Sequence, residues 1–282
     1  MTDATLASHL AACAEIVRRH DRERYLVSLF AAPEQRDGLF AVLAANHEIA
    51  KIAEVVSDPT IGLIRLQWWR EAFDGIEAGT PRAHEVVLPL SQVAERHPEL
   101  LSDLRRVVDA REGDLSEEPA ADLDALEDYA AATGGEVTAA MARVLGADTE
   151  MARNVGTAWA LIGLVRAMPV LLAAGRAPLP ASVLEAAGTT LSRIKDLPAS
   201  VDLGALCRPI LARGQARLSD AETSPALRSR PARPLRLLAA RAQDLLGALA
   251  RTGGDPRDPA LADIPASLAW RHALRAARFR LF

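Results

Sequence analysis

Apolar side chains recur every three to four residues along almost the whole chain. That spacing gathers them onto one stripe of an α-helix and would scatter them over both faces of a strand. Ala, Leu, Arg and Glu dominate, and β-branched runs are short, so intrinsic preference points the same way. The expected class is all-α. Helices are predicted at about 4–19, 22–31, 35–57, 60–78, 82–96, 99–112, 122–145, 148–174, 181–187, 201–219, 232–251 and 266–280. The breaks between them fall at Ala32-Pro33, Ser57-Asp58-Pro59, Gly79-Thr80-Pro81, His97-Pro98, Gly175 to Pro180 and Gly253-Gly254-Asp255-Pro256, where proline and glycine interrupt helices.

At 282 residues the chain has ample material for a buried core. Half of it is apolar and a quarter charged, which excludes a disordered chain. Connections are short, so residues 1–282 read as one helical domain. The candidate linker is 220–234, with Pro225, Pro231 and Pro234 among arginines, leading to a basic C-terminal segment 235–282. The net charge of −4 hides an asymmetry: from Ala226 onward eleven Arg face four Asp, giving +7 there and −11 for the rest. Cys13 and Cys207 are too few for a disulfide scaffold or a Cys-rich zinc module. The six histidines form no H-x-x-x-H pair, so no zinc motif shows. No apolar run approaches the ~20 residues of a spanning helix, since Val155–Ala174 is interrupted by Arg166 and Pro169. The start carries no basic, apolar leader pattern. The expected setting is cytoplasmic, with peripheral contact at the inner membrane.

Several segments carry chemistry by their order. Arg24-Tyr25-Leu26 precedes Pro33 and Arg36. Leu39 to Glu54 includes Asn46-His47-Glu48-Ile49-Ala50. Downstream come Gln67-Trp68-Trp69-Arg70 with Asp74, then Tyr129 to Gly134, then Leu164-Val165-Arg166 leading to Gly175-Arg176 and Leu179-Pro180. Over roughly residues 10 to 185 this series resembles the squalene/phytoene synthase family of head-to-head prenyl transferases. The W-R-x-x-x-D block (Trp69, Arg70, Asp74) and the G-R-x-x-L-P block (Gly175, Arg176, Leu179, Pro180) are the more specific parts. The resemblance implies an isoprenoid-synthase-like helical bundle around a central apolar cavity. It also implies two facing D-x-x-x-D clusters that hold Mg²⁺ against a substrate diphosphate, since aspartates at i and i+4 share one helical face.

At those positions the chain departs from the family. Ala50 and Glu54 align with the first aspartate pair, and Ala167 and Leu171 with the second. No Asp or Glu occurs between Glu150 and Glu185, so the second helix lacks a carboxylate in any register. Glu54 and Asp58 are also four apart, but Asp58 precedes Pro59, where a helix should end. Asn46, Glu48, the stretch Thr60-Ile61-Gly62-Leu63 and Arg166-Ala167 before Pro169 are similar to a branch of the family: the mitochondrial complex I assembly factors and their bacterial relatives. That branch implies a non-catalytic helper in respiratory complex I assembly, with complex I subunits or an isoprenoid lipid as partner and no cofactor. An active Mg²⁺-dependent prenyl transferase acting on isoprenyl diphosphates is the alternative.

The candidate substrate- or lipid-binding residues of the ancestral cavity are Tyr25, Asn46, Glu54, Trp69 and Arg166; none is assigned as catalytic or metal-binding. Each has a plainer reading. Tyr25 and Trp69 suit core packing. Asn46 falls in line with Leu39, Leu43 and Ala50 and should face inward. Arg166, in an acid-free apolar helix, needs a buried carboxylate, with Glu54 the expected partner. The basic, aromatic-bearing segment 266–282 suits either an anionic membrane surface or a terminal helix packing Leu274, Ala277 and Leu281 on the body. No nucleic-acid motif accompanies its arginines.

Overall fold

The computed structural model describes residues 3–116, 118–174, 176, 179–196, 201–258, 261 and 264–279, and every regular element among them is helical. The helices are α1 (Asp3–His20), α2 (Arg22–Ser28), α3 (Pro33–Ala50), α4 (Ile52–Val55), α5 (Pro59–Glu77), α6 (Val87–Arg96), α7 (Leu100–Ala110) and α8 (Leu123–Ala130). They continue with α9 (Glu136–Leu145), α10 (Thr149–Ala173), α11 (Ala181–Ala186), α12 (Leu191–Asp196), α13 (Leu203–Thr223), α14 (Arg233–Arg251) and α15 (Leu268–Arg278). Aspartate starts many of them. Asp21, Asp58, Asp122, Asp148 and Asp202 each accept a backbone N–H in the first turn of α2, α5, α8, α10 and α13, satisfying a donor the helix cannot. Asp58 therefore ends one segment and caps the next, with Pro59 at the start of α5.

The predicted helix 35–57 is two helices, parted at Lys51. The predicted helix 122–145 contains a π turn, Ala131–Gly135, between α8 and α9. It lies at a close crossing with α10. A Cβ on Gly156 would stand 2.2 Å from the carbonyl oxygen of Gly134, and one on Gly134 would stand 2.6 Å from that of Gly156. Neither position has room for a side chain.

Packing centres on α10, which lies against α13, α9, α14, α8 and the π turn. Contrary to the sequence expectation, α10 meets the length and composition of a membrane span. Its neighbours explain the hydropathy: Val155, Leu161, Ile162, Val165 and Met168 are buried in the core. Helix α3 is buried continuously from Leu39 to Asn46, as a helix enclosed by α1, α6 and α9 must be.

Two buried ion-pair groups tie the bundle together. Glu23 of α2 accepts from Arg166 of α10 at 2.8 Å and from Arg241 of α14 at 2.6 Å. Asp103 of α7 is fully enclosed and meets Arg106, Arg143 and Arg153. Arg106 and Arg153 also reach Glu136.

The stretch 220–234 is a corner, not a spacer. α13 runs to Thr223, a 3-10 turn covers Pro225–Arg228, and Leu227 and Ala232 are buried. Beyond it α14 packs on α10, α13 and α2. In α15 the inward positions are Leu268, His272 and Ala276, with Arg275 gripping both carboxylate oxygens of Asp244 at 2.9 and 2.8 Å. Leu274 and Ala277, expected to pack inward, face solvent, because the buried stripe steps by four from Leu268. Leu281 lies outside the described residues.

His272 is fully enclosed, and neither ring nitrogen has a hydrogen-bond partner among the described residues. Burial first, then the charges of Arg275 and Arg241, push its pKa down to about 4. The unfolded chain takes up this proton near pH 6.5 and the folded chain does so only near 4. Stability is thus unaffected at neutral pH and falls by about 1.4 kcal/mol per pH unit between those values. Burial moves His47 and His84 in the same direction. Urea unfolding of His272→Leu from pH 7 to 4 is expected to show a shallower acid limb. An acid limb as steep as that of the native chain would refute the assignment.

Candidate functional site

The bundle forms a half-open cavity of about 690 Å³, within the range of small-molecule sites, about 300–1,000 Å³. One wall is Asn46 and Ala50 of α3 with Glu54 of α4, one helical turn apart in sequence. Across from it α10 contributes Trp159, Ala160, Gly163, Leu164, Ala167 and Leu171. Leu126 and Tyr129 of α8, with Thr133 and Gly134 of the π turn, close a third side. Arg24, Arg111, Asp114, Glu118 and Arg176 supply most of the charge.

Six of these polar groups are already engaged with the protein, the Thr133 hydroxyl donating to the backbone oxygen of Tyr129 at 2.8 Å. Arg111 donates to Asp114 at 2.9 Å and to the Tyr129 hydroxyl at 2.8 Å, while that hydroxyl donates to Asp114 at 2.6 Å. The Arg111 Nε, by contrast, is buried without a hydrogen-bond partner among the described residues. Burial, opposed by the Arg111 charge and assisted by Asp114, raises the Tyr129 phenol above its usual range, so it stays a donor. Arg24 pairs with Asp21. Arg176 donates to the backbone oxygen of Ala53 at 2.6 Å, holding the segment after α10 against α4. Burial pushes both Cys13 and Cys207 up to about 12, which keeps them thiols and poor nucleophiles.

Of the five candidate residues, Asn46 and Glu54 line this cavity and Tyr25, Trp69 and Arg166 do not. Tyr25 is turned onto Phe40, ring centroids 5.2 Å apart. Trp69 is core, packed on Phe73 and against Trp68 and His84. Arg166 is drawn to Glu23 rather than Glu54, since Glu23 sits on α2, beside α14, where Arg241 shares it. Ala50, Glu54, Ala167 and Leu171, the four positions aligned with family aspartates, all face the same space. Among the described residues no group of three or more His, Cys, Asp or Glu is placed to hold a metal ion. Arg111, Asp114 and Trp159 line the site without having stood out in the sequence. The first two carry a readable signal, a base and an acid three apart, but that spacing is ordinary on surface helices and does not distinguish them. Gly175 of the G-R-x-x-L-P block lies outside the described residues.

The chain matches the squalene/phytoene synthase family over residues 17–269. It belongs to that family. Among solved structures, the squalene synthase HpnC of Alicyclobacillus acidocaldarius superposes with a TM-score of 0.77 at 22% identity, covering 90% of this chain and 98% of the other. A dehydrosqualene synthase superposes with a TM-score of 0.81 at 15% identity, covering 97% of each. At these identities the likeness speaks for the all-α isoprenoid-synthase fold. Complex I assembly factor 6 of Bos taurus and of Homo sapiens are each 33% identical over 162 residues, 56% of this chain and 48% of theirs. The chain thus spans about half the length of the curated relatives it matches. This squalene/phytoene synthase family member therefore combines the family's fold with similarity to assembly factor 6 over 56% of its sequence.

Proposed function

We propose that this chain is a catalytically silent squalene/phytoene synthase homologue that holds an isoprenoid-type lipid in its cavity and serves the assembly of respiratory complex I. The observation that carries the reading is the chemistry of the wall built by α10. Ionising a prenyl diphosphate concentrates negative charge that Mg²⁺ must bind, and protein carboxylates hold each ion while phosphate oxygens and waters complete its octahedron. The α10 row facing the cavity is Gly163, Ala167 and Leu171, none of which offers an oxygen donor in its side chain. Opposite, the row Asn46, Ala50 and Glu54 retains one carboxylate. Two further carboxylates line the cavity away from both rows: Asp114, which is taken by Arg111 and Tyr129, and Glu118 on the connection before α8. The donor set does not fit a two-sided metal clamp, and no catalytic step is derived through one.

What the cavity does offer suits an uncharged chain with a polar head. Leu126, Trp159, Leu164 and Leu171 provide apolar lining, and Asn46 and Arg111 provide polar groups on the same walls. The role in assembly is supported by the similarity to assembly factor 6.

Two measurements test this. Incubated with farnesyl or geranylgeranyl diphosphate and Mg²⁺, the purified chain is expected to release no pyrophosphate above a blank. Turnover abolished by Glu54→Gln would overturn the reading of a silent site. In a deletion strain, assembled complex I is expected to fall; unchanged complex I would remove the assembly role.

A further inference from the structure

Arginine is abundant in this chain, and across most of the surface it is neutralised. Arg70 meets Asp109 and Glu112, Arg105 meets Asp74 and Glu77, Arg213 and Arg217 share Glu127, and Arg275 meets Asp244. One corner departs from this pattern. The 3-10 turn after α13, the connection beyond it and the first turn of α14 bring Arg228, Ser229, Arg230, Arg233 and Arg236 around a concavity of about 420 Å³, bordered by Phe279 at the end of α15. Among the described residues no Asp or Glu lines it, and Arg233 has a partner of its own. Arg228, Arg230 and Arg236 form no ion pair among the described residues.

The geometry concentrates positive charge. Arg236 is half-buried, its guanidinium carbon 3.7 Å from the centroid of the Phe279 ring. Stacking on an aromatic face fixes the guanidinium plane and removes one side from water. Burial, then the neighbouring charge of Arg228, move Arg236 below the ordinary guanidinium range. Like charges crowded into partly desolvated space repel one another. The fold holds them together because Leu227, Ala232 and Leu235 on the same segment are core residues.

We propose that this corner is a binding site for a phosphate-bearing anion with at least two phosphate groups, separate from the central cavity. Guanidinium forks match phosphate oxygens in bidentate fashion, and Arg228, Arg230 and Arg236 together exceed what a single carboxylate would neutralise. The Ser229 hydroxyl adds a neutral donor, and Phe279 holds Arg236 in place. The anion comes either from solution, as a free di- or polyphosphate, or from a membrane, as adjoining lipid headgroups. The chemistry of recognition is the same in both.

The test uses the full chain and two probes: inorganic pyrophosphate, followed by calorimetry at low salt, and phosphatidylcholine vesicles with or without phosphatidylglycerol, followed by sedimentation. The pocket variant is Arg228→Gln with Arg236→Gln, and the control is Arg18→Gln with Arg19→Gln, on α1. Binding is expected to weaken about tenfold or more in the pocket variant and to persist in the control. Pyrophosphate binding without vesicle binding assigns the free anion. Vesicle binding that requires phosphatidylglycerol and is displaced by pyrophosphate assigns the headgroup. A second readout needs no variant: pyrophosphate should raise the Tm of the native chain, less so as sodium chloride is added. Failure of the native chain to bind either probe, or undiminished binding by the pocket variant, overturns the proposal.

Discussion

Replacing Glu23 by alanine should cost about 3–5 kcal/mol, the usual loss when one member of a buried ionic group is removed. Glu23 is the shared acceptor for Arg166 and Arg241, and its own side chain is 5% exposed and that of Arg241 7%. Without the carboxylate, Arg241 is a charge in the core with nothing to balance it. Arg166, at 23%, can partly reach water, which places the burden on Arg241. For a chain of this length the loss lowers Tm by roughly 10 °C. Urea unfolding gives the free energy directly, and a loss below about 1 kcal/mol would mean both arginines find solvent in the variant. Replacing all three by apolar residues of similar volume should recover most of the stability. The group also matters to the site. Glu23 anchors α2 to α10 and α14, and the next residue, Arg24, lines the cavity. A destabilised α2 should therefore loosen the cavity before the rest of the bundle melts.

Gly156→Ala is expected to be of similar severity, roughly 3 kcal/mol, by overpacking. The added methyl would meet the Gly134 carbonyl oxygen at 2.2 Å and the Thr138 hydroxyl at 2.4 Å. The first of these is backbone, so relief requires α10 to move away from the π turn. Gly134 and Thr133 line the cavity, as does α10 from Trp159 onward. The same displacement should widen the cavity and weaken retention of any bound lipid. Thermal unfolding, with native mass spectrometry of the folded fraction, reads both effects. A variant with unchanged Tm would show that the crossing has slack. Gly163→Ala on the same helix is the matched control for the Tm alone, because a Cβ there meets nothing within 4 Å but Gly163 itself lines the cavity.

The helices and their starts are written in local sequence. The aspartates at 21, 58, 122, 148 and 202 cap within three residues of themselves, so their effect is visible without tertiary context. The rows 46/50/54 and 163/167/171 are equally legible, since one helical turn places such residues on one face. That both rows face one cavity is implied by the family resemblance, and the structure puts them there. Trp69 and Tyr25 belong to the core and not to the cavity because a large aromatic serves either equally well, and periodicity does not separate the two. Arg166 finds its carboxylate not in Glu54 but in Glu23, 143 positions away in the chain, a distance over which spacing carries no information.

Composition and helical period determined that this chain is all-α, where its helices begin, and that no carboxylate stands on α10 beyond Glu150. Those properties depend on neighbours within four positions, where the backbone itself sets the geometry. Tertiary structure decided which charges meet. It gave Arg166 to Glu23, closed Arg111, Asp114 and Tyr129 into one wall, and left Arg228, Arg230 and Arg236 gathered around a concavity that no carboxylate among the described residues lines. Pairing of this kind depends on how helices far apart in the chain cross, and electrostatic attraction is too undirected to be read from spacing alone.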